Sequence, residues 1–145
     1  MSRALNLLLE QLDGEERRSA AELNVAQLQL QQMEQQLETL SQYQRQYVQT
    51  FQQRGRSGLE AHQFGHFRGF IDKLEVAQQQ QQEGLQQARE QLAKSRDAWL
   101  AVRSRKQAIA KLMEREAERK KQEAARQEQK MLDNLAIYRY HRKPL

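Results

Sequence analysis

His62 and His66 stand four residues apart, a spacing that puts two imidazoles on one face of a helix, where they could bridge a metal ion. A stable site needs more ligands, and no carboxylate or cysteine completes this one. Surface histidines beside a turn are the favoured reading, and no metal or other cofactor is expected. His141 sits in the terminal tail and adds nothing to the pair. The chain has no cysteine, which removes disulfides, thiolate metal sites and thiol nucleophiles. No glycine-rich loop of the kind that cradles phosphate occurs. Basic residues gather at Arg103, Arg105, Lys106 and Lys111, again at Arg119, Lys120 and Lys121, and in the closing run from Tyr138 to Lys143. Such clusters attract phosphate backbones. Acids such as Glu114, Glu118 and Glu123 are interspersed around both helical clusters, however, and no nucleic-acid reader module is recognisable. Solvated helical faces are the favoured reading, with no specific nucleic-acid binding and no enzymatic site.

The elements that would position these groups are helical. Gln is the most frequent of the 145 residues, with 26 copies, and Pro occurs once, at Pro144. Gln, Glu, Arg, Ala and Leu lose little freedom in a helix, while strand-forming types are sparse. A hydrophobic share of 38% and a mean hydropathy of -1.01 are too low for a compact core but sufficient for a narrow seam between two helices. No apolar run approaches a membrane span. The start of the chain, Met1 to Glu10, makes a poor secretory signal, so the expected location is the cytoplasm.

The seam can be read directly. From Leu5 it steps by four and three through Leu9, Leu12, Glu16, Ser19, Leu23, Ala26, Leu30, Met33, Leu37, Leu40, Gln44 and Tyr47 to Phe51. A second arm repeats the pattern through Phe64, Phe67, Ile71, Leu74, Gln78, Gln81, Leu85, Ala88, Leu92, Ser95, Trp99, Val102, Lys106, Ile109 and Met113. A period of 3.5 implies a left-handed supercoil. Between the arms, Gly55 is expected as a left-handed cap and Gly58 as the turn. Gly65 and Gly69 suggest an irregular start to the second arm, and Gly14 a weak point in the first. A turn centred near Ser57 sets Leu5 opposite the region of Ile109.

The expectation is an all-α fold: one antiparallel two-helix coiled-coil hairpin with a single-helix C-terminal extension. Arm one spans 3–54, the turn 55–60, and arm two with its extension 61–137. Past Met113 the same steps meet Glu116, Lys120, Glu123, Gln127 and Lys130, none of them apolar. Pairs such as Glu116–Lys120 and Glu123–Gln127 would support an isolated helix there.

Two apolar stripes lie off this seam. Phe70 and Ala77 flank Leu74 and either reach a partner or widen the seam near the turn. Met131, Leu132, Leu135 and Tyr138 form a second stripe on the extension, where no partner arm exists, and suit docking to another protein.

The chain resembles the flagellar FliJ family over essentially its whole length. The resemblance rests on the Leu-rich first arm with its Tyr43–Tyr47 end and the glycine-containing turn. It continues through Phe70 to Ala77, Arg96-Asp97-Ala98-Trp99, the Arg103, Arg105 and Lys106 cluster followed by Leu112, and Glu128 to Asp133. It implies a cytoplasmic stalk at the inner-membrane export apparatus, with no direct membrane insertion. Its partners would be the export ATPase hexamer, the cytoplasmic domain of the export gate, and export chaperones. By resemblance the gate surface maps to Phe70, Leu74, Ala77 and Gln81, the last where the family carries a histidine. Contact with the ATPase ring maps to Met131, Leu132, Asp133, Leu135 and Tyr138. Asn134 stands where the family has a second acid. The equivalent stalk protein of a virulence secretion system remains the alternative.

Overall fold

The computed structural model describes residues 2–56, 58 and 60–142. Met1, Ser57, Lys143 and Pro144, named above, lie outside the described residues. Two α-helices account for nearly everything: α1, Ser2–Arg56, and α2, Ala61–Arg142, packed against each other. Neither is interrupted. Leu, Gln, Glu, Arg and Ala supply the propensity, and basic residues close both helices, Arg54 and Arg56 on α1 and Arg139, His141 and Arg142 on α2. Cations there face the partial negative charge of the unpaired terminal carbonyls.

The connection corrects one expectation. Gly55 is not the left-handed residue; it lies inside α1, and its carbonyl accepts a hydrogen bond from the Gly58 N–H at 3.4 Å. Gly58 alone among the described residues carries the positive φ, at 90°. One left-handed residue outside the helix reverses the chain, so a second is not needed. Gly65 and Gly69 lie within continuous helix, and no atom comes within 4 Å of a Cβ built on either. The two glycines cost propensity, and the helix is unbroken across them beside the aromatic packing. Gly14 likewise sits in unbroken helix.

The contacts group into two units, Arg17–Leu100 and Met1–Glu16 with Ala101–Leu145. In the first, Leu23 to Phe51 on α1 and Phe67 to Trp99 on α2 are covered at the predicted seam positions, and Phe64 is 50% exposed. Ala26, Leu74 and Leu85 are buried, as is Ser95, whose small hydroxyl accepts a hydrogen bond from Gln91 Nε2 at 3.3 Å. In the second unit, Leu12 and Val102 form the buried core, with Leu5, Leu9, Ile109 and Met113 half-buried around them.

Near the turn the ring contacts fall at the expected register, with Phe51 against Phe64 and Tyr47 against Phe67. Farther along, Gln78 Nε2 reaches Ser41 at 3.4 Å. Side chains on a helix lean toward its N-terminus, so in an antiparallel pair a long side chain can meet a partner some residues off its own level. Glu116 is half-buried, and every described residue from Ala117 to Arg142 is exposed.

Candidate docking surfaces

Near the turn the seam is aromatic. Phe67 stacks on Tyr47 with ring centroids 5.0 Å apart, and on Phe51 with 10° between the ring planes. Phe64 tilts onto Phe51, and Phe70 lies 4.5 Å from Tyr47 and 6.3 Å edge-on from Tyr43. Aromatic pairs add about 0.5–1.5 kcal/mol each beyond area burial. Phe70 therefore widens the seam near the turn, half-buried against Tyr43 and Tyr47. His62 and His66 meet edge to face at 4.7 Å, and no group of three or more potential ligands for a metal occurs among the described residues.

The four residues mapped to the gate occupy different depths. Leu74 is buried at 8% exposure, so it supports the surface from beneath and presents little to a partner. Phe70, Ala77 and Gln81 are half-buried. Gly84 and α1 belong to the same neighbourhood, which the sequence reading missed: Met33, Gln36, Ala77, Gln80, Gln81 and Gly84 line one recess. The signal lay in the seven-residue spacing of Phe70, Ala77 and Gly84.

The residues mapped to the ATPase ring lie together on the uncovered part of α2. Met131 is 73% exposed, and Leu132, Leu135 and Tyr138 are each more than half exposed. Asp133 accepts a hydrogen bond from Gln129 at 3.1 Å, and the Arg142 guanidinium lies 5.5 Å from the Tyr138 ring centre. Ile137 and Tyr140, not singled out from the sequence, are exposed here as well. The helix-supporting pairs differ from those expected: Arg119 bridges Glu116 at 3.6 Å and Glu123 at 3.3 Å.

Lys106 provides a third feature. Its Nζ lies 2.7 Å from Asp13 and 2.8 Å from Glu16. Hydrogen bonds to Asp13 first and then Glu16 raise its pKa above the ordinary 10.5. Glu16 and Lys106 both fall on the seam steps read from the sequence. They are partners of opposite charge, and that opposition was the available signal. One member of the first basic cluster is thereby neutralised, as is Arg119 in the second.

Two seam-packed helices with apolar stripes and shallow recesses define a coiled-coil protein whose surfaces suit docking. The model of the flagellar FliJ protein family matches residues 1–145, and the chain belongs to that family. FliJ proteins are non-catalytic components of flagellar protein export. A search of curated proteins finds no match to this chain. No helix among the described residues is long and apolar enough to cross a membrane.

Proposed function

We propose that the chain is a non-enzymatic stalk and adaptor of the flagellar export apparatus. It binds and stimulates the export ATPase hexamer, contacts the cytoplasmic domain of the export gate, and cycles export chaperones at the inner membrane. The observation that carries this reading is the uncovered length of α2: residues 117–142 are helical, exposed throughout, and bear an apolar stripe that α1 does not cover. We read this length as a single-helix extension that enters the ATPase ring, while the Phe70 surface serves the gate.

The chemistry of the extension fits a contact that must be made and released. Its charges are mixed, with nine basic and six acidic residues over 114–145, so it favours a mixed or acidic lumen without a single strong ion cluster. Six equivalent subunits cannot all match one asymmetric helix at once. Small, distributed contacts suit such a ring better than one deep pocket.

Deletion of 124–145 tests the reading. The truncated protein is expected to stay folded by circular dichroism, to bind the gate domain, and to lose stimulation of ATP hydrolysis. Full stimulation by the truncated protein would show that the tail is not the stalk.

A further inference from the structure

His62 and His66 have no part in the function proposed above. Both stand in the first two turns of α2, exposed, with ring centroids 4.7 Å apart and the planes edge to face. Positions four apart share one face of a helix. With ring centres this close, two imidazole nitrogens can ligate one ion at about 2.0–2.1 Å while the helix backbone stays as it is.

The place of the pair in the helix matters as much as its spacing. Gly65 lies between the two histidines and Gly69 follows them, and no atom comes within 4 Å of a Cβ built on either glycine. Glycine is the poorest helix former after proline, so this start of α2 has little intrinsic support. Its backbone ladder opens with the Phe64 N–H donating to the Glu60 carbonyl at 3.1 Å. On the seam side, Phe64 and Phe67 pack against Phe51. A link between the two exposed imidazoles would span Gly65 and add a restraint of a different kind.

We propose that His62 and His66 form a two-imidazole chelate for a divalent late transition metal ion, and that the bound ion clips the glycine-containing start of α2. The ligand set selects the ion. Imidazole suits copper, nickel and zinc, and copper(II) is bound most tightly in the general order of divalent ions. Among the described residues no third histidine or carboxylate joins the pair, so water fills the remaining positions. That arrangement suits tetragonal copper(II) better than structural zinc, which takes four protein ligands. Arg54 lines the recess that His66 also borders. Both side chains are exposed, so solvent and salt screen the like charge of the ion. The chelate exists only while residues 62–66 are helical, so ion binding and helix formation support each other.

The test is calorimetric titration of the full-length chain with copper(II), followed by electron paramagnetic resonance of the loaded protein. One ion per chain is expected, with two imidazole nitrogens in the copper spectrum. His62→Ala and His66→Ala each leave one imidazole of the pair and are expected to lose at least about tenfold in affinity. His141→Ala removes the remaining histidine of the chain and is expected to bind as the unaltered protein does. Zinc is expected to bind more weakly than copper. Copper is also expected to slow amide exchange at residues 64–69 of the unaltered chain, and not of His66→Ala. If affinity survives both single substitutions, or the unaltered chain shows one nitrogen or none, the ion sits elsewhere and the chelate is overturned. If both histidines ligate copper and exchange at residues 64–69 is unchanged, the clip is overturned.

Discussion

Gly58 and Gly69 are one residue type under opposite demands. Gly58 sits at φ 90°, where a Cβ crowds the following carbonyl. Gly69 is helical, with open space around its missing side chain. Gly69→Ala is therefore expected to stabilise the chain by about 1 kcal/mol in urea unfolding, the helix-propensity difference. Gly58→Ala is expected to destabilise it by about 1 kcal/mol or more. Equal shifts in both variants would refute this division. The sequence alone gave both glycines a role in bending the chain, because a glycine's φ is not written in its identity. It is set by what the neighbouring helices have already fixed.

At the scale of elements, α1 and α2 are packed against each other, and the described residues of α2 beyond Glu116 are helical and exposed, the stretch proposed above as an extension. Pairs such as Arg119–Glu123 contribute about 0.3–0.5 kcal/mol each, too little to hold an isolated helix firmly. Amide exchange in the isolated chain is expected to be slow along both arms and fast from about residue 117 onward. Uniform protection through residues 117–137 would contradict this division. Binding to a ring would slow exchange in that segment by supplying the apolar contact that α1 does not.

For the molecule as a whole, the Lys106 network links residues ninety positions apart and ties the two helices together at one register. A slip by one heptad would keep the leucines apposed but separate Lys106 from both carboxylates. The ion group thus opposes alternatives that the apolar seam tolerates. Because its lysine pKa is raised on folding, the contribution is complete below 10.5 and is lost as pH rises through the higher folded value. Lys106→Met is expected to lower the melting temperature near neutral pH and to lose less than the unaltered chain on going to about pH 11.5. Parallel losses in the two proteins over that range would remove the network from the account of stability.

Periodicity alone determined much about this protein. The four-three steps named most of the covered positions on both helices, and the last apolar one, Met113, stands three residues before the last half-buried position of α2, Glu116. That legibility has a physical cause: a two-helix seam depends on local geometry that repeats every seven residues, so each position declares its side by spacing. Which glycine is left-handed, the pairing of Lys106 with Asp13 and Glu16, and the recess at Gly84 were decided only in the tertiary structure. Each depends on which residue of one helix meets which of the other. That choice follows from the opposed lean of side chains and the length of the turn, which no spacing within a single helix records.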